Sequence, residues 1–165
     1  MLMLRRLGLM TAAGLLCASL TLADDPPKNE LPKSVVEVLQ NATEFELYSL
    51  DPELPLEKPT NDFHGWKVLG KASIKDVKAR EKLTKAFLKG VDDSTGEAKR
   101  GFKPRHGIRV TYKKKTVDIV MSFQYLQSVV YEGDADKDLT IRHTSTPSTV
   151  FDDAVKAAGL KTAGK

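Results

Sequence analysis

The 165-residue chain has one cysteine, Cys17, and it lies in an apolar run near the N-terminus. The remainder therefore has no thiol with which to build a disulfide, a redox pair or a thiolate metal site. Histidine is nearly as scarce. His64, His106 and His143 stand singly in three separate segments. Neither His-x-His nor His-x-x-x-His spacing, which brings two imidazoles to one metal, occurs. There is no G-x-S-x-G, no S-x-x-K and no glycine-rich phosphate loop, which removes the commonest serine-nucleophile and nucleotide-binding signatures. Internal repeats and low-complexity tracts are absent. On these grounds no catalytic residue, cofactor or metal is expected.

What is present begins with a three-zone leader. Met1 to Arg6 carries two arginines and no acid, Leu7 to Leu22 is uncharged and mostly apolar, and Ala23 is a small residue followed by Asp24-Asp25-Pro26-Pro27. This pattern predicts a secretory signal over residues 1–23, cleaved near Ala23, and hence an exported protein in the periplasm or outside the cell. Two alternatives stay open. An uncleaved anchor needs about 20 apolar residues, and this run is at the short edge of that and diluted by Thr11, Gly14, Ser19 and Thr21. Lipid attachment at Cys17 resembles a bacterial lipoprotein signal, although Leu16 stands where a small residue is usual.

Loss of residues 1–23 takes Arg5 and Arg6 with it. Lysine plus arginine falls from 26 to 24 against 22 acids, and net charge from +4 to +2. That excess is too small to mark a nucleic-acid binder. Membrane contact is expected only through the N-terminal signal or anchor, and the protein is expected to be a monomer. The part after the leader is long enough for one domain with its own core. Residues 24–31 read as a flexible tether, 32–160 as a single domain and 161–165 as a disordered tail.

Within that domain, Val35, Val36, Leu39 and Ala42 recur at helical spacing after Pro32. Phe45 and Leu47 alternate with Glu44, Glu46 and Tyr48, as on a half-buried strand. Asp51 to Asn61 holds three prolines and reads as a loop. Trp66, Val68, Ala72 and Ile74 alternate with Lys67, Lys71, Ser73 and Lys75, predicting a second strand with a cationic outer face. Asp76 is placed to cap a helix with Ala79, Leu83, Ala86 and Phe87 on its buried stripe, stopped at Gly90. Val91 to Pro104 is a long polar loop. Three or four strands follow, over Ile108–Tyr112, Val117–Phe123, a continuation at Leu126–Tyr131 after a break near Gln124, and a short Leu139–Arg142, joined by short turns that include Lys113-Lys114-Lys115 and Gly133-Asp134 and require antiparallel pairing. Thr146 is placed to cap a last helix with Pro147 at its first position and Gly159 at its end. The expectation is an α+β domain of two layers, an antiparallel sheet of about five or six strands with flanking helices.

Lys99 to Lys115 is rich in cations and has no acid. Its triple lysine suits a solvated turn, whereas Arg105-His106 sits where a loop enters a strand, a common position for binding groups. His64 is expected to stack on Trp66. Glu44 and Glu46 share a strand face, an acid–base arrangement in principle but more simply the wet side. Asp134, Asp136 and Asp138 begin as a calcium loop does, but Leu139 and Ser145 stand where glycine and glutamate are required, so the run reads as an acidic hairpin turn.

Gly101-Phe-Lys-Pro-Arg-His-Gly-Ile108 and Thr116-Val-Asp-Ile-Val-Met-Ser-Phe-Gln-Tyr-Leu-Gln127 resemble a family of small exported bacterial proteins, many from planctomycete-like genomes. Its members carry C-F-x-P-R-H-G and V-D-L-x-I-C-F-x-C segments. Leu47–Pro52 and Phe63–Gly70 resemble the family's two early strands. The resemblance implies no particular activity. Gly101, Ser122 and Tyr125 stand where the family has cysteines, so any metal or redox chemistry that those cysteines support is not implied for this chain. What remains is a polar set of Arg105, His106, Ser122 and Tyr125, with His64, as a candidate ligand-binding group.

The function expected from these readings is a non-catalytic exported module binding a small anion or an envelope component. The alternatives are a purely structural envelope domain and an envelope hydrolase with His106 or His64 as base. Intact-mass analysis of protein recovered from an expressing bacterium is expected to show a chain beginning at Asp24. Retention of residues 1–23 in the membrane fraction would instead mark an anchor, and a lipid adduct on Cys17 a lipoprotein.

Overall fold

A computed structural model of the chain describes residues 29–57, 59–96, 99–133 and 138–163. The expected leader, residues 24–28 of the expected tether, Asp134 and Asp136 of the expected acidic turn, and residues 164 and 165 lie outside the described residues. The described part contains three helices and seven strands. Their order is α1 (Lys33–Gln40), β1 (Glu44–Leu50), β2 (Asp62–Phe63), β3 (Trp66–Ser73), α2 (Val77–Asp92), β4 (His106–Tyr112), β5 (Lys115–Ser122), β6 (Gln127–Glu132), β7 (Leu139–Arg142) and α3 (Ser148–Ala157). The class is α+β with an antiparallel sheet, as the alternation of patterns predicts. The strand count exceeds the expected five or six because β2, only two residues long, is too short to show a period.

The helices follow their apolar stripes, with three local corrections. In α1 the buried side chains are Val35, Val38 and Leu39; Val36 is only half-buried and Ala42 lies past the helix end. In α2, Asp76 accepts the Ala79 N–H at 2.7 Å and caps the helix as expected, but Gly90 does not stop it. The helix continues to Asp92. Gly90 is glycine because a Cβ there would lie 2.5 Å from Cγ of Pro147, and its carbonyl accepts the Thr144 N–H. The N-terminal cap of α3 falls on Pro147 rather than Thr146, with no side-chain capping bond. At the far end Gly159 has φ +66°, and Leu160 N–H to Val155 O with Gly159 N–H to Lys156 O forms the paired closure of a left-handed helix stop.

The sheet order is β2-β3-β1-β4-β5-β6-β7, and every neighbouring pair is antiparallel. Because β3 and β4 both run against β1, they are parallel to each other, and α2 connects them across it. All three helices contribute to one core with the inner face of the sheet. Leu39, Phe45, Leu83, Phe87, Ile108, Ile119, Met121 and Phe151 are each at most 2% exposed there. Each such side chain contributes about 1.5–3 kcal/mol relative to an exposed one.

The outer face is covered as well. Tyr48, Leu50, Phe63, Trp66, Val68 and Val120 form a second apolar cluster on it. The strict alternation expected for β3 breaks at one extra residue. Ser49 pairs with Gly70 but Leu50 pairs with Val68, so Leu69 is a bulge. Ala72 and Ile74 consequently face the helices while Trp66 and Val68 face the other way. A bulge also bends its strand, and here it carries the β2–β3 hairpin over the outer face. The turn of that hairpin is His64-Gly65, both at positive φ, a two-residue connection whose twist matches that of its strands. Gly107 lies beneath, where a Cβ would come within 2.8 Å of the Phe63 ring.

The expected tether and tail make specific contacts where they are described. The Asn29 side chain accepts from Arg142 N–H at 2.7 Å and donates to Arg142 O at 3.1 Å. It thereby occupies the free edge of β7 as a short strand would. Leu31 packs on the main core, and Ala163 O accepts from Arg105.

The β4–β5 turn is Lys113-Lys114, with φ of 46° and 65°. A two-residue turn with both φ positive favours Asn-Gly, and a lysine there is strained. Replacing both (Lys113→Asn with Lys114→Gly) is expected to raise stability by about 1 kcal/mol, or about 3–4 °C in Tm, measured by thermal melts.

Candidate functional site

The residues singled out from the sequence do not form one group. His106 is 4% exposed and on the inner face, between the rings of Phe123 and Phe151. Its Nε2 lies 3.1 Å from Asp152 Oδ1, and its Nδ1 is buried without a partner. Arg105 donates to Ala163 O at 3.2 Å. Ser122 is fully buried on the opposite face. Its hydroxyl accepts from Lys103 N–H at 3.2 Å and donates to Lys103 O at 3.1 Å. The Tyr125 ring packs on Gly101, at whose α-carbon a Cβ would be 2.5 Å from the ring. Gly101 and Tyr125 thus meet and Ser122 is tied to nearby Lys103, while His106 does not join them.

His64 belongs to a different constellation, centred on Asp118, which is outside the expected ligand-binding set. Asp118 is the middle acid of the apolar run Val117-Asp118-Ile119-Val120, and its side chain is only 8% exposed. The register places it opposite Arg109. Arg109 Nε donates to Oδ1 at 2.8 Å and its terminal nitrogen to Oδ2 at 2.6 Å, a two-pronged grip, and His64 Nε2 donates to Oδ2 at 2.8 Å. His64 does not stack on Trp66. Its ring lies parallel to Tyr131 at 3.6 Å, because the positive-φ turn carries it past the edge of β3 and over β5 and β6. Trp66 meets Phe102 instead.

The electrostatics follow from burial. Desolvation opposes ionisation of Asp118, but hydrogen bonds from Arg109 and His64 outweigh it and hold the carboxyl below its usual range. The same carboxylate raises the Arg109 pKa despite partial burial. Alongside, Glu46 accepts from Tyr48 Oη at 2.6 Å and from Lys71 at 3.2 Å. The tyrosine bond lowers Glu46, and burial together with that carboxylate raises Tyr48. Glu46 therefore holds a neutral tyrosine and faces Arg109 across β1 and β4, an arrangement that stabilises the sheet face rather than poising an acid and a base.

An open cleft of about 430 Å³ adjoins this network, lined by Arg109, Lys114, Thr116, Asp118, Tyr131 and Gly133. Arg109 spends one edge of its guanidinium on Asp118 and remains 44% exposed in its side chain. Cationic and hydroxyl donors therefore line the cleft, and among its described lining residues the one acid, Asp118, is already engaged. His143 stays apart, enclosed by Phe87 and Phe123. Its Nδ1–H donates to Thr144 O, and burial lowers its pKa. No cluster of three or more metal-ligating side chains occurs among the described residues.

Only the signal at Asp118 was available from sequence. An acid inside a continuous apolar strand must find a partner or cost several kcal/mol. Which partner it finds depends on strand register and on the reach of the hairpin. Compared with known proteins, the chain matches no family model, no curated protein and no solved structure.

Removing the carboxylate strands Arg109 and unlatches His64. Asp118→Asn is expected to cost about 2–3 kcal/mol at pH 7, at the lower end for a broken buried pair because Arg109 is partly solvated. The native pKa is depressed, so the stabilisation is fully present above the ordinary value of 3.8 and is lost as pH falls through the folded-state value. Urea titrations of both proteins from pH 7 downward should show a gap that is constant to about pH 4 and closes below it.

Proposed function

We propose that the chain is an exported, non-catalytic binding module that takes a small anion in the outer-face cleft. The observation that carries this reading is Arg109. Its guanidinium is fixed in orientation by Asp118, and its remaining donors line the same cleft as Lys114 and Thr116. A carboxylate or phosphate entering there meets oriented donors without an ordering cost for the arginine. Export rests on the leader sequence. The resemblance to the small exported bacterial family rests on its sequence segments alone.

A hydrolase reading draws on the His64–Asp118 contact, since a carboxylate orienting an imidazole is the arrangement of a general base. It is the weaker reading here. Both oxygens of Asp118 are already gripped by Arg109, and the described contacts of His64 include no hydroxyl nucleophile.

Thermal-shift measurements with phosphate, sulfate, acetate and a sugar acid test the proposal. An anion bound with a dissociation constant of about 1 mM and supplied at about 10 mM would stabilise by roughly 1.4 kcal/mol, or about 4 °C. The rise is expected to vanish in Lys114→Gln with Thr116→Val, two changes away from the Asp118 bonds. A shift that survives them places the anion elsewhere, and no shift with any anion favours the structural-domain reading.

A further inference from the structure

The loop after β1 displays two leucines that the fold does not use. Leu54 is 74% exposed and Leu56 fully so. Single exposed leucines are ordinary, but these share one tip with Pro55 between them. The loop base is held: Pro52 is buried, Asp51 N–H bonds to Lys67 O, and Glu53 pairs with Lys103 at 2.8 Å. The tip is therefore an apolar pair on a stiffened stalk, flanked by Glu53 and Glu57.

At the other end of β1 is a groove of complementary character. It has a volume of about 570 Å³ and runs between α2, α3 and the end of β3, over Ala72, Ile74, Ala79, Leu83, Val150 and Ala154. The alanines leave its floor low. Lys75, just before α2, and Lys82 on it stand at its rim, with Lys78 one turn before Lys82. These three form no ion pair among the described residues, whereas Lys85 and Lys89 are paired with Glu81 and Asp93. Of the acids nearby, Asp76 is spent on the Ala79 N–H and Asp153 remains. Ser73 pairs with Glu46 and Ile74 N–H bonds to Phe45 O, so the groove lies near the start of β1, while the loop leaves from its end at Leu50. Within one molecule the two do not meet.

We propose that the chain self-associates head to tail, with the Leu54-Pro55-Leu56 tip of one copy seated in the α2–α3 groove of a second copy. Glu57, which lines the same surface as the leucines, then approaches Lys75, Lys78 and Lys82, and this charge complementarity selects the occupant, while Glu53 stays with Lys103. The contact joins two different patches, so it is heterologous, and each copy keeps one free tip and one free groove. The buried area is small, so association is weak and concentration-dependent.

Sedimentation equilibrium of the purified protein over a wide concentration range is the test. The expected result is a mass that rises with concentration, and less so at high salt. Leu54→Ser with Leu56→Ser, and separately Lys75→Glu with Lys78→Glu and Lys82→Glu, should each remain monomeric with thermal stability near that of the parent. An equal mixture of the two variants should regain a complex that stops at two chains, because only one tip and one groove remain competent. A monomer at every concentration, association that persists without the leucines, or a mixture that stays monomeric overturns the proposal. So does a parent that stays monomeric yet binds neutral phosphatidylcholine vesicles through the leucines, which would assign the tip to a lipid surface.

Discussion

From Val117 to Ser122 strand β5 is buried on both faces, and the rest of the structure is arranged around that constraint. Its inner side chains, Val117, Ile119 and Met121, meet the helices in an ordinary apolar core. Its outer side chains are Asp118, Val120 and Ser122, and each is buried to within 6%. Each needs a different kind of cover. Asp118 needs donors and receives Arg109 and His64. Val120 needs apolar contact and joins Tyr48 and Phe63. Ser122 needs both a donor and an acceptor and takes both from the Lys103 backbone. The hairpin after the proline loop and the segment before β4 exist in their observed positions because they meet these demands.

The bulge at Leu69 connects this constraint to the fold. Without the extra residue, Trp66 and Val68 would face the helices with Ala72, and the hairpin would continue the sheet instead of lying over it. With it, Phe63 crosses Gly107 and stacks on Tyr48 at 4.2 Å, while His64 reaches Asp118. The polar grip contributes less net stability than its short distances suggest, because desolvating a carboxylate offsets much of the attraction. Its larger consequence is positional. It fixes the hairpin and orients Arg109 toward the cleft.

Much of the architecture was legible in the sequence. Helical and alternating periods marked α1, β1, α2 and the four strands of the second half, and Asp76 and Gly159 marked helix ends for the expected physical reasons. Gly90 misled because its need for glycine is a close approach by Pro147, a contact distant in sequence, rather than a left-handed turn. The expected site was less legible. Arg105-His106 looked like one unit at a loop–strand junction, yet His106 falls on the helix side of the sheet and Ser122 on the other. His106 is the register partner of Met121, so Ser122, one residue further on, points to the opposite face.

The sequence by itself determined the class, the number of helices and the antiparallel pairing, since these rest on local period, turn chemistry and composition. It also held one unread sign of the site, a lone acid in an apolar strand. Only the tertiary structure decided what that acid meets. The partner is set by the register of β4 against β5 and by a one-residue bulge that turns a distant hairpin over the sheet. Both are long-range pairings whose energy comes from contacts between segments, and no local pattern encodes them.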